Sequence, residues 1–370
     1  MALISYVFKS GRKEDYLNDT VRAKDFFYGL YSFKNKNVIQ IFEFTKASKQ
    51  HSFFLNFVDK LLRKTTKIPF STSQIISFQN IQKLLNSDIL FLVNETVSFS
   101  LLPLLVYIKK FKKIEVNIFL MGISVLKQKN FLINKLQNFA IKILFNCSTN
   151  IYFLGEGEKK YCENHFPKFI RKIKYIPFSV DVNFWNEEIN NDIQKRNGVL
   201  FVGNDLNRDY ELLLQIASEI SELEFTFVTQ QIIKNENLPK NIKILNSDMY
   251  QKIISDVELR SVYKSSKLVI LPLKNTLQPS GQSVALQSMS CSTPVLISNT
   301  VGLWDKTNLV NNENIFLIEP NTLENWVKKI REYYPNDVLL NKVSQNALIN
   351  VKSSYNLESF YSKLSKDILI

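Results

Sequence analysis

The chain has 370 residues, 45% hydrophobic and 22% charged, with a formal net charge of +13. That length exceeds one ordinary core and suits two domains, and the apolar fraction is that of a globular chain, not a disordered one. Cys147, Cys162 and Cys291 are odd in number and scattered, and the two histidines, His51 and His165, stand far apart. These counts argue against a disulfide or zinc framework and against a Ser-His-Asp triad, and fit a reducing compartment.

From the N-terminus, the apolar run Leu3–Phe8 gives way at once to Ser10-Gly11-Arg12-Lys13, with no secretory signal pattern. Later apolar runs, such as Leu101–Ile108 and Phe139–Phe145, stop at lysines well short of a ~20-residue membrane span. The expectation is a cytoplasmic protein, soluble or peripheral on the inner face of the membrane. Further short apolar runs follow at Val38–Phe44, Ile89–Val93, Val116–Met121, Ile151–Leu154 and Ile173–Phe178. A second set lies at Val199–Val202, Phe225–Thr229, Ile242–Leu245, Leu268–Leu273, Val295–Ser298 and Ile315–Ile318. Runs this short, rich in β-branched and aromatic residues, read as strands buried on both faces. Amphipathic stretches between them, among them Ser73–Leu85, Leu132–Phe145, Tyr210–Ile220 and Leu323–Tyr334, read as helices. Strand–helix alternation predicts an α/β chain of two Rossmann-like, doubly wound parallel sheets. The expected domains are 1–180 and 198–354, joined by an acidic linker at 181–197. A C-terminal helix, 355–370, has the option of crossing back to the first domain.

Charge is unevenly divided. Residues 1–180 carry 28 Lys and Arg against 12 Asp and Glu, whereas the remainder carries 19 against 22. A cationic half fits acidic lipid head groups or a phosphate-bearing acceptor, and equally a set of solvated lysine faces. The run Lys109-Lys110-Phe111-Lys112-Lys113 carries the same two readings. No nucleic-acid module or interleaving of aromatic and basic residues appears, so nucleic acid is not an expected partner.

In doubly wound sheets ligands bind beyond the carboxyl ends of the strands. Three such ends in the second half carry informative residues. Val199–Val202 runs into Gly203-Asn204, and Arg208 sits just ahead of the next helix, where a guanidinium can grip a diphosphate; the alternative is a turn glycine and a surface Arg208–Asp209 pair. Lys274 follows Leu268–Leu273 and either reaches a phosphate or is a solvated loop lysine. Third, Ser280-Gly281-Gln282-Ser283 opens a helix whose free N–H groups and dipole make an anion site. Gln287 lies one turn deeper on the Ser283 face, placed for ribose hydroxyls unless the segment is a plain capped core helix. In the first half, Gly11-Arg12 and Glu95 follow strands and are candidates on the acceptor side, Glu95 having also a helix-capping reading.

The stretch Pro279–Pro294 resembles the donor-binding signature of bacterial retaining glycosyltransferases of the group 1, family-four type, with the GT-B fold. Gln287-Ser288-Met289-Ser290 stands where that signature has E-A-M-A, and Thr293-Pro294-Val295 where it has x-P-V. Ile176-Pro177-Phe178-Ser179-Val180-Asp181 resembles the family's interdomain strand, and Glu258-Leu259 to Tyr263 its E-L-x-x-x-Y run. Asp25-Phe26-Phe27-Tyr28-Gly29 resembles the first helix of some members. The departures are specific. Pro279 and Gln287 occupy the places of the family's paired glutamates, and the usual Arg and Lys for the diphosphate fall on Asn204 and Asp209, leaving Arg208 one place displaced.

The resemblance implies two domains facing a central cleft, a nucleotide-sugar donor, and a glycan or lipid-linked acceptor in surface polysaccharide synthesis. It implies donor binding by Gly203, Asn204, Arg208, Lys274, Ser280, Gly281, Gln282, Ser283 and Gln287. Arg208, Gln287 and Glu95 would be the catalytic residues, with Gly11 and Arg12 on the acceptor side. The implied chemistry is transfer with retention, needing no protein nucleophile, no metal and no cofactor. A non-catalytic subunit of the same fold, or another nucleotide-sugar enzyme such as a hydrolysing epimerase, are the alternatives.

Overall fold

A computed structural model describes residues 1–17, 22–44, 53–126, 130–186, 195–231, 238–246 and 254–368. The chain divides into two compact units. One comprises Met1–Thr20, Phe26–Pro177 and Phe360–Ile370; the other comprises Val21–Asp25 and Phe178–Ser359.

The first unit runs β1 (Leu3–Phe8), α1 (Arg12–Leu17), α2 (Leu30–Lys34), β2 (Val38–Glu43), α3 (Phe53–Thr66), α4 (Phe78–Leu85), β3 (Ile89–Val93), α5 (Glu95–Ser100), α6 (Leu102–Phe111), β4 (Glu115–Leu120), α7 (Phe131–Cys147), β5 (Asn150–Phe153), α8 (Glu156–His165) and β6 (Ile173–Tyr175). Its parallel sheet has the order β2-β1-β3-β4-β5-β6. The strands are buried on both faces, which is why they read as unbroken apolar runs. Alternate residues serve opposite faces. Leu90 and Leu92 belong to an aliphatic core with Leu105, Ile141 and Leu144 of α6 and α7. Phe91, between them, stacks on Tyr6 at 4.6 Å, and Phe119 stacks on Tyr152 at 5.2 Å. The C-terminal segment joins this aromatic side: Phe360 stacks on Phe119 at 6.0 Å and Asp367 pairs with Lys174.

The second unit continues with α9 (Val182–Asn186), β7 (Val199–Val202), α10 (Tyr210–Glu219), β8 (Phe225–Thr229), β9 (Ile242–Asn246), α11 (Asp256–Ser265), β10 (Leu268–Leu271), α12 (Gln282–Ser290), β11 (Val295–Ser298), β12 (Phe316–Ile318), α13 (Leu323–Tyr333) and α14 (Asp337–Ser354); α15 (Leu357–Ser365) begins in it. Its parallel sheet has the order β12-β11-β10-β7-β8-β9. All twelve expected strands form. The helix expected from Ser73 starts instead at Phe78, because Ser77 caps it through a bond from Asn80 N, while the Ser73 N–H is taken by the buried carboxylate of Asp59 at 3.0 Å. The stretch read as a linker contains α9, whose Trp185 is fully buried, and the buried Arg196; residues 187–194 lie outside the described residues.

Candidate functional site

The strand order of the second unit places β7 beside β10, and the connections from these two strands leave in opposite directions along the sheet. That is the switch point at which doubly wound sheets open a crevice. Backbone bonds hold the two exits together there: Asp209 N donates to Pro272 O at 3.0 Å and Lys274 N to Asn207 O at 2.9 Å. The Asn207 amide then spans to the loop before α12, donating to Gln278 Oε1 at 2.8 Å and Ser280 Oγ at 2.9 Å. Gly302 closes over this loop so tightly that a Cβ would stand 2.3 Å from Thr276 O. The loop and the mouth of α12 are thus fixed from two sides.

Arg208 is the polar centre of the arrangement. It is 2% exposed, and its Nε and Nη1 have no hydrogen-bond partner among the described residues. Its Nη2 reaches Asp205 Oδ2, at 3.5 Å. Two glycines make room for it. A Cβ on Gly203 would stand 2.3 Å from Nε, and one on Gly281 would stand 2.9 Å from Nη1. Burial pulls the guanidinium pKa below its ordinary value, partly countered by Asp205. A buried cation with unpaired donors is costly, and it is retained where an anion completes it.

Gly281 also caps α12, in the left-handed conformation with φ +77°, and makes no side-chain cap bond there. Ala285 N is the first to fold back on the helix, donating to Gly281 O at 2.8 Å, so the N–H groups of Ser283 and Val284 belong to the open first turn. The opposite end is charge-matched: Arg196 donates to the carbonyls of Ser292 at 2.8 Å and Cys291 at 3.2 Å. A guanidinium at the C-terminus and open N–H groups at the N-terminus leave the positive end of the helix dipole beside the Arg208 guanidinium.

Gln287, expected to contact ribose, has its amide bonded within the second unit. Helix α12 is buried on nearly every side, so the face shared with Ser283 turns inward at its second turn. The Gln287 amide donates to Asp25 Oδ2 at 2.8 Å and accepts from Tyr263 OH at 3.2 Å. Asp25 also accepts from Asp181 N at 2.6 Å and Trp185 Nε1 at 2.9 Å. Despite three donors, burial pushes the Asp25 carboxyl up to about 7. Sequence reasoning missed this node of Asp25, Trp185, Tyr263 and Gln287. A lone aspartate heading the apolar stretch Asp25-Phe26-Phe27-Tyr28 was the available signal.

The other expected residues fall as follows. Asn204 is exposed and bound to the exit of β8, accepting from Gln230 N at 2.7 Å. Lys274 is exposed and its Nζ donates to Leu206 O at 3.3 Å, so it braces the β7 loop. Gln282 is buried and Ser283 half-buried. In the first unit, Gly11 and Glu95 follow β1 and β3, which are neighbours at that sheet's own switch point. A Cβ at Gly11 would meet nothing within 4 Å. Arg12 pairs with Asp15 at 3.2 Å and lies over the Phe26 ring at 5.0 Å, while Glu43 caps α1 through Arg12 N and Lys13 N. The Glu95 carboxylate folds back on Met121 N, and burial raises its pKa. Nearby in charge terms is Glu158, fully buried, which accepts from Ser124 N and Oγ and is pushed up to about 8 by burial and then by Glu95. The three cysteines are free and buried.

Comparison with known proteins bears on the fold and on the second unit. Residues 196–336, which carry the switch point, Arg208 and α12, match the family model described as glycosyl transferases group 1. Among solved structures the chain is similar to sucrose-phosphate synthase from Thermosynechococcus elongatus, at TM-score 0.66 and 10% identity over 99% of this chain and 98% of that one. It is similar to Anabaena HepE in complex with UDP, at TM-score 0.65 and 10% identity over 99% of both chains. A glycosyltransferase from Rickettsia africae aligns at TM-score 0.64 and 13% identity over 99% of this chain and 97% of that one. No curated protein matches the sequence. The fold is therefore GT-B. Taken with the group 1 match over the second unit, it supports a glycosyltransferase.

Proposed function

We propose that this chain is a cytoplasmic glycosyltransferase that moves a sugar from a nucleotide-sugar donor to a glycan or lipid-linked acceptor in surface polysaccharide synthesis, with retention. The observation that carries the reading is the buried Arg208 guanidinium, whose Nε and Nη1 lack a partner among the described residues, beside the glycine-capped end of α12. A diphosphate satisfies both: its oxygens take the open N–H groups and the two free guanidinium donors. HepE, of the same fold, is described in complex with UDP-glucose.

In this reading the donor diphosphate is held by Arg208, Gly203, Ser283 and the first turn of α12. Asn204, Lys274, Ser280 and Gln282 shape the surrounding loops. As the bond from the anomeric carbon to the phosphate oxygen breaks, negative charge grows on the departing diphosphate, where the preorganised donors stabilise it most. The acceptor hydroxyl forms the new bond on the same sugar face, and its proton passes to the departing phosphate oxygen. Gln287 acts through Asp25, fixing the depth and rotation of α12, and is a positioning residue. The acceptor is assigned to the first unit, with Gly11, Arg12 and Glu95 at the C-terminal edge of its sheet.

A second reading, a subunit that binds donor without transferring, is favoured by one observation. The position of the second family glutamate is a glutamine committed to Asp25 and Tyr263. Incubation with a panel of labelled nucleotide sugars, with and without a membrane-derived lipid-linked acceptor fraction, separates the two. Transfer or slow sugar release supports the enzyme; saturable binding with neither supports the subunit; no binding of any donor rejects both.

A further inference from the structure

Helix α3 packs Leu62 on the core but departs from an ordinary surface helix at two places. Its inward side holds Asp59, whose carboxylate accepts from Ser73 N and Oγ at 3.0 Å each. Its outward side holds Phe53, Phe54 and Phe57, exposed by 83, 73 and 59%. Helix α7 packs against both α3 and α6. It likewise turns Leu132, Leu136 and Phe139 outward, with Lys135 and Lys142 among them. Helix α6 adds the exposed Tyr107 and Phe111, with Lys109 and Lys110 beside them. Between α6, α7 and the segment 165–169 opens a groove of about 960 Å³ whose lining includes Phe139 and Ile143 with Lys109, Lys142 and Lys168. Scattered exposed apolar residues need no explanation, but exposed rings and leucines carried by α7 and by the two helices packed against it mark a surface made to be covered.

We propose that this face docks on a bilayer containing anionic phospholipid. Charge decides the occupant. Helices α3, α6 and α7 together carry seven Lys and Arg and a single acidic residue, the buried Asp59. A second copy of the chain would set these cations against their equals, which is repulsive, whereas acidic head groups complement them. Phenylalanine and leucine rings suit the head group–acyl boundary, with the lysine stems reaching back to the phosphates. No helix among the described residues is long and apolar enough to cross a membrane, so the contact is interfacial. The inference goes beyond the transfer reading and does not rest on it.

Co-sedimentation with vesicles tests it, using phosphatidylcholine alone or with one third phosphatidylglycerol. The wild-type chain is expected to partition about tenfold or more in favour of the anionic vesicles, and to release as salt rises. Two double variants, Phe57→Ser with Phe139→Ser and Lys109→Glu with Lys142→Glu, are each expected to lose about tenfold of that binding. All four side chains are exposed, so the thermal midpoint is expected to stay within about 2 °C of wild type. Equal partition to both vesicle types, or full binding by both double variants, overturns the proposal. So does a wild-type dimer by light scattering that the phenylalanine variant dissociates, since the face is then an interface between copies.

Discussion

Gln287 Nε2 donates to Asp25 Oδ2 at 2.8 Å, joining residues 262 positions apart. The bond anchors α12 from within, because the same amide accepts from Tyr263 and the same carboxylate accepts from Trp185. Gln287→Ala leaves a buried carboxylate short of a donor and a buried tyrosine hydroxyl without its acceptor. The expected loss is about 2–3 kcal/mol in urea unfolding, with nucleoside diphosphate binding weakened far less than by changes at Arg208. A loss of binding with stability unchanged would assign Gln287 to the ligand.

Asp25 also makes stability depend on pH. Burial raises its folded pKa from 3.8 to about 7, so between these values the folded state holds a proton that the unfolded state has released. Its contribution is fully present below the unfolded value and is lost as pH rises toward 7. Glu158, raised from 4.5 to about 8, acts in the same direction and extends the decline. Urea midpoints measured across this range are expected to fall with rising pH. Asp25→Asn should flatten the part below about pH 7, by up to ~1.4 kcal/mol per pH unit, and leave the Glu158 part. An unchanged profile in the variant would contradict this assignment.

Gly203→Ala tests the packing of the guanidinium. A Cβ there would stand 2.3 Å from Arg208 Nε, so the side chain must move. The expected outcome is at least about tenfold weaker nucleoside diphosphate binding, from misplacing a charge-assisted contact, with the protein still folded. Calorimetric titration checks it.

The sheets were legible in the sequence because parallel strands are buried on both faces and read as plain apolar runs, as in Ile89–Val93. The α12 mouth was legible too, because Ser280-Gly281-Gln282-Ser283 is local. The orphaned state of Arg208 was not, since it depends on Gly203 and Gly281 from different loops. Nor was the inward turn of Gln287, because helical spacing tells which residues share a face and not what covers it. The outward Phe57 and inward Asp59 of α3 were hidden for the same reason.

Arg208→Met probes the cost of the site. Two unpaired guanidinium donors are buried in the unliganded protein, so an apolar chain of similar length should leave it equally stable or about 1 kcal/mol more stable in urea unfolding. Marked destabilisation would mean that Arg208 serves the fold.

The most direct test of the account is calorimetric titration of nucleoside diphosphates and their sugars into the wild-type chain and Arg208→Ala. The account predicts saturable binding of at least one such ligand by wild type, weakened about 30-fold or more, ~2–3 kcal/mol, in the variant. Binding of equal strength to both proteins, or to neither across the panel, would contradict it.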